Sequence, residues 1–180
     1  MPKENSKKQK IDTNNQKNET LRVLSLFSGC GGMDMGFEGN FDVLKSSINE
    51  NLTPHFIDKK LNNGFVRLKK TRFSTVFAND ILPAAKNAWI HHFSKRGHDA
   101  QEFHTDSIVD LVKRHRNGEK VFPENIDMVT GGFPCQDFSV AGKRNGFQSH
   151  KNHKGNRIED TKAASVETRG QLYMWMKEVI

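Results

Sequence analysis

Cysteine is scarce in this sequence. Cys30 and Cys135 are the only two in 180 residues, too few for a disulfide framework or a four-cysteine zinc site. No metal is expected, and a reducing, cytoplasmic setting fits best. Long apolar runs are missing as well: the mean hydropathy is −0.73 and no stretch approaches bilayer length, so no membrane role is expected. The opening MPKENSKKQKIDTNNQKNET is basic but has no apolar centre, so it does not read as an export signal. Acidic residues are the minority, 21 against 28 Lys and Arg, for a net charge of +7. A polyanionic partner is consistent with that excess, but the basic residues are spread along the chain and do not by themselves identify one. The length allows one domain around one hydrophobic core.

Residues 1–20 carry Lys, Asn, Gln and Glu with almost no apolar side chain. They bury too little to offset their ordering entropy and read as a flexible arm, either a solvated tail or one that touches phosphate. From Leu21 the pattern changes. LRVLSLF is a short apolar run that predicts a buried strand, followed by a turn at Gly29, Gly31 and Gly32 and by Met33, Gly36 and Phe37 at helical spacing. A second strand is predicted over 74–78, leading into a helix with Ala85, Ala88, Trp89 and His92 on one face. A third, near 102–104, precedes a stripe of Ile108, Leu111 and Val112, and a fourth over 127–130 runs into Gly131-Gly132-Phe133-Pro134-Cys135. Leu172, Trp175, Met176 and Val179 mark a last amphipathic helix. Four strand–helix alternations predict an α/β fold with a parallel sheet flanked by helices. Residues 38–73 and 138–165 break the alternation and read as functional loops or disorder, the first as an excursion on the surface.

Four positions carry chemistry on these residues alone. The glycine turn after the first strand suits a backbone that approaches a ligand, although Asp34 stands where a dinucleotide fingerprint places its third glycine, so a plain tight turn explains it equally well. Asp80 and Asp106 each follow a strand, where an acid either accepts ribose hydroxyls or favours a helix N-terminus. Cys135 sits in a loop fixed by glycines and a proline, which suits a nucleophile, whereas Cys30 reads as a small buried side chain. His91, His92, His98, His104, His115, His150 and His153 read as surface residues, none singled out as a partner for a thiol.

LRVLSLFSGCGGMDMGFEG followed by DMVTGGFPCQDFSVAGKRNG resembles the cytosine-C5 DNA methyltransferases, with FANDILPAAKNAWIHHF and RGQLYMWM similar to further motifs of that family. The resemblance implies a Rossmann-like S-adenosylmethionine-dependent fold, with residues 21–180 as the N-terminal part of the catalytic domain and a catalytic loop over 131–165. It implies that Phe27, Gly29 and Gly31 belong to the cofactor loop, that Asp80 binds the ribose, and that Ile81 stands where many members place a tryptophan against the adenine. Asp106 resembles the acid that meets the adenine amine, although the usual Gly-Asp-Ile reads Thr105-Asp106-Ser107 here. Pro134 and Cys135 match the catalytic pair, with Cys135 as nucleophile, and Leu172 matches a cofactor-contacting leucine. Gln136, Phe138, Ser139, Lys143 and Arg144 would lie on the loop that closes over DNA, in a basic stretch that continues through Lys151, Lys154, Arg157 and Lys162.

The implied activity is methylation of C5 of a flipped cytosine in double-stranded DNA, in a restriction–modification system. The family's Glu-Asn-Val tripeptide, its QxRxR strand and its DNA-reading region have no counterpart among these residues. The expectation is therefore a fold incomplete at its C-terminus and inactive alone, whether the sequence is a truncated product or fragment, one subunit of a split enzyme completed by a C-terminal half, or a piece ended by design. An apolar helix face at Leu172, Trp175 and Val179 is expected to stay exposed unless a partner covers it. A tRNA-directed enzyme, a non-catalytic cofactor- or DNA-binding remnant and a dinucleotide-dependent oxidoreductase are the competing readings.

Overall fold

The computed structural model describes residues 19–134, 151–157 and 167–180. The arm over 1–18 and most of the catalytic loop, Cys135, Gln136, Phe138, Ser139, Lys143 and Arg144 included, lie outside the described residues.

Strand β1, Leu21–Leu26, leads through the glycine turn into helix α1, Gly32–Glu38. The next segment is where expectation and structure part. Instead of an unstructured excursion, it forms a second small sheet from β2 (Asp42–Leu44), β3 (Ile57–Lys60) and β4 (Phe65–Leu68), antiparallel in the order β2-β4-β3. The turn between β3 and β4 contains Asn63 and Gly64, both in the left-handed region (φ 80° and 78°), a pairing that favours tight hairpins. The chain then resumes the expected alternation: β5 (Phe73–Asn79), α2 (Pro83–Phe93), β6 (Phe103–His104), α3 (Ile108–Arg116) and β7 (Met128–Gly131), with α4 (Leu172–Lys177) at the end.

β1, β5, β6 and β7 form one parallel sheet in the order β6-β5-β1-β7. Alternation along the strands sends side chains to two faces. On one face Leu24, Leu26 and Phe77 pack with Ile108, Leu111 and Val112 of α3 and with Leu172 and Trp175 of α4. On the other, Ala78 and Phe103 pack with Trp89 and Phe93 of α2. The α2 stripe is therefore Trp89–Phe93, one turn apart, while Ala88 is exposed. The expected open face of α4 is closed: Leu172 is 4% and Trp175 8% exposed, and Met176 and Val179 join the same cluster. The chain's own α3 and sheet cover it.

Candidate functional site

The carboxyl ends of β1, β5, β6 and β7 lie along one edge, and the crossovers change direction at β1, where an open α/β sheet leaves a crevice. A cleft of about 330 Å³ opens there. Phe27 borders it from the end of β1, Asp80 and Ile81 from the end of β5, Ser107 from the end of β6, and Pro134 from beyond β7; Leu172 of α4 also faces it.

The glycine loop is built against this cleft. Phe27 adopts φ 54°, rare for a bulky residue, and Ser28 N–H then donates to Asn79 O at 2.8 Å. Gly29 N–H donates to Asp80 Oδ2 at 3.1 Å, and Leu82 N–H donates to Oδ1 at 3.0 Å. Asp80 thus ties the β1 loop to the β5 turn. A carboxylate has about four acceptor positions, so about two remain for hydroxyl groups in the cleft. Beneath the loop, fully buried Asp34 accepts hydrogen bonds from Ser28 Oγ (2.6 Å) and Trp89 Nε1 (2.9 Å). Gly31 belongs to this layer rather than to the cleft wall. With φ 85°, a Cβ there would fall 2.5 Å from Phe93 Cε2 and 2.6 Å from Trp89 Cδ1.

Asn79 is a residue the sequence reading passed over. Its buried amide donates to the carbonyls of His104 (3.0 Å) and Asp106 (2.8 Å), and so fixes the turn that presents Ser107. The signal was available: a polar side chain closing an otherwise buried strand needs partners. Ser107 caps α3 by accepting Val109 N–H. Asp106 does not border the main cleft. Its half-exposed carboxylate sits 3.7 Å from the Arg114 guanidinium and faces an adjoining cavity with Ile81, Ser107 and Lys154.

Two expectations are overturned. Cys30 is exposed, because Gly31 and not Cys30 turns toward Trp89 and Phe93. Four histidines are not surface residues: His92 has its Nε2 buried, His98 lies between Glu38 and Glu102, His104 stacks on Phe77 at 4.3 Å between ring centroids, and His153 is 9% exposed beside the cleft. Burial pushes both the His104 and His153 imidazoles below their ordinary pKa. Lys154, expected among the phosphate-contacting residues, reaches Asp110 Oδ2 at 3.0 Å.

A parallel four-strand sheet flanked by helices, with an acid and apolar walls at its switch point, is a Rossmann-like α/β arrangement. Within that class the sequence is specific. Residues 21–154 match the family described as C-5 cytosine-specific DNA methylase, and the chain belongs to it. It is 67% identical over 132 residues to the Type II methyltransferase M.CviJI of Paramecium bursaria Chlorella virus IL3A, covering 73% of this chain and 24% of that protein. It is 35% identical over 136 residues to the Type II methyltransferase M.BsuRI of Bacillus subtilis, covering 76% and 27% respectively. The chain thus spans about a quarter of the length of these curated relatives. Membership in a methylase family implies a methyl donor. No helix among the described residues is long and apolar enough to cross a membrane.

Proposed function

We propose that these residues carry the cofactor-binding and nucleophile-bearing part of an S-adenosylmethionine-dependent DNA (cytosine-5-)-methyltransferase of a restriction–modification system. The observation that supports it is the convergence of Phe27, Asp80, Ile81, Ser107, Pro134 and Leu172 on one cleft, which reaches the residue before Cys135. The donor set fits an adenosine. The open acceptor positions on Asp80 suit the ribose hydroxyls, and Phe27, Ile81 and Leu82 offer apolar faces to a purine.

When bound there, S-adenosylmethionine supplies a methyl group made electrophilic by its sulfonium. Pro134 restricts the backbone ahead of Cys135. The Cys135 thiolate adds to C6 of a cytosine swung out of duplex DNA, and C5 becomes the nucleophilic carbon of an enamine. After C5 has taken the methyl group, loss of its proton expels the thiolate and restores the ring. Gln136, Ser139, Lys143 and Arg144, on the stretch that follows Cys135, are assigned to DNA contact. A glutamate for ring N3 and a DNA-reading region come from further polypeptide, in the same chain or a second one.

Duplex DNA with 5-fluorocytosine at candidate sites tests this, because fluorine does not leave as a proton does. With S-adenosylmethionine and a C-terminal polypeptide from a relative of matching specificity, a covalent protein–DNA complex is expected, and Cys135→Ala abolishes it. An adduct on fluorinated tRNA and not on DNA transfers the activity to the RNA-directed branch. Absence of any adduct, with the C-terminal polypeptide active beside its own N-terminal partner, overturns the reading.

A further inference from the structure

His153 comes from a polar stretch outside the alternating elements, yet it is nearly as buried as the core. Its Nδ1 lies 2.7 Å from Ser107 Oγ. Ser107 Oγ already accepts the Val109 N–H at 3.3 Å, so its own proton is available to His153. In the tautomer with its proton on Nε2, Nδ1 accepts from Ser107 and Nε2 faces a Glu167 carboxylate oxygen at 3.7 Å. Burial favours the neutral ring this hydrogen bond requires.

The flanking residues are pinned as well. Asn152 pairs with Thr168 in an antiparallel bridge, Lys151 pairs with Arg157, and Lys154 reaches Asp110 on α3. His153 and Gly155 border the same cleft as Ser107. The short stretch 151–157 is therefore held at three points against α3, its cap and the segment before α4, with its histidine turned toward the cleft.

We propose that His153 is a positioning residue for the cofactor: through Ser107 it braces the turn after β6 at the adenosine end, and residues 151–157 form a wall of the cofactor site rather than part of the DNA-facing surface. The inference rests on the cofactor reading above. Without the imidazole, Ser107 keeps its capping role but loses its second partner, and the wall between β6 and α4 loses its filling side chain.

Calorimetric titration of the 180-residue chain with S-adenosylhomocysteine tests the proposal, with thermal unfolding in the absence of ligand as the folding control. His153→Ala is expected to weaken binding about tenfold, the scale of one lost hydrogen bond. His153→Asn, whose amide oxygen can take the Nδ1 position, restores most of it. His153→Ala combined with Ser107→Ala is no weaker than the weaker single variant. In the ligand-free chain, ring nitrogen shifts are expected to report the Nε2–H tautomer and to move on Ser107→Ala. Unchanged affinity in a folded His153→Ala chain, an Asn variant as weak as Ala, or a tautomer indifferent to Ser107→Ala overturns this proposal alone. A wild-type chain that does not bind S-adenosylhomocysteine overturns the cofactor reading and this proposal with it.

Discussion

At Gly31 a single hydrogen atom separates the glycine loop from the aromatic pair of α2. Both the backbone conformation and the 2.5 Å approach to Phe93 exclude a side chain. Gly31→Ala is expected to cost about 3 kcal/mol, from overpacking against rigid rings and from a left-handed backbone. Urea unfolding followed by far-UV circular dichroism checks it, and an unchanged midpoint would show that the ring pair yields. Residues of this kind divide by what they need. The place of Asp80 just past a strand was legible in the sequence because that setting is local. Asn79 and His153 were not, because their partners are supplied by turns 25 or more residues away. Ser107, where the family usually has an isoleucine, looked like a defect in the motif; beside His153 it has a hydrogen-bond partner.

Between elements, the joint of α1, β5 and the turn after α2 is a buried ionic cluster. Glu38 Oε1 accepts the Thr75 N–H (2.9 Å), and its carboxylate lies 3.1 Å from His98 Nε2. Arg96 donates to the carbonyls of Gly39 and Asn40, which satisfies the end of α1. Burial raises the Glu38 pKa, but the His98 and Thr75 hydrogen bonds more than offset it and hold the carboxyl below 4.5. The hydrogen bond to Glu38, opposed by burial and helped by Glu102, raises His98 above 6.5. The Glu38 contribution to stability is thus present above pH 4.5 and lost as pH falls through its lowered value. That of His98 is full below pH 6.5 and lost as pH rises through its raised value. The melting temperature is expected to peak between those limits, and in His98→Gln the decline on the alkaline side should flatten; a profile identical to wild type would contradict the pairing. Breaking the cluster with Glu38→Ala is expected to cost about 3 kcal/mol. At this scale the alternation of strands and helices was readable from period alone. The small sheet was not, since its strands are three or four residues long and only Val66 is fully buried; the Asn63-Gly64 dipeptide was its one clear sign.

For the whole molecule, α4 completes the cover that α3 begins on one face of the sheet. Trp175 fills the space between α3 and the sheet, with the Arg116 guanidinium over its ring at 5.6 Å. Trp175→Ala is expected to cost about 3–5 kcal/mol through the cavity it leaves. A melting temperature within a degree or two of wild type would mean that α4 contributes little to the core. The expectation of an exposed α4 failed because periodicity identifies an apolar stripe but not its neighbour.

The two faces also differ in their optical properties. Trp89 and Trp175 are the only tryptophans in the sequence, and each lies in a different core cluster, Trp89 beside the glycine loop and Trp175 on the inner face of α4. Replacing either with phenylalanine leaves one fluorophore that reports on one side of the sheet. Because the Trp89 indole donates to the carboxylate that holds Ser28, its emission also follows the loop that precedes α1, without any added label.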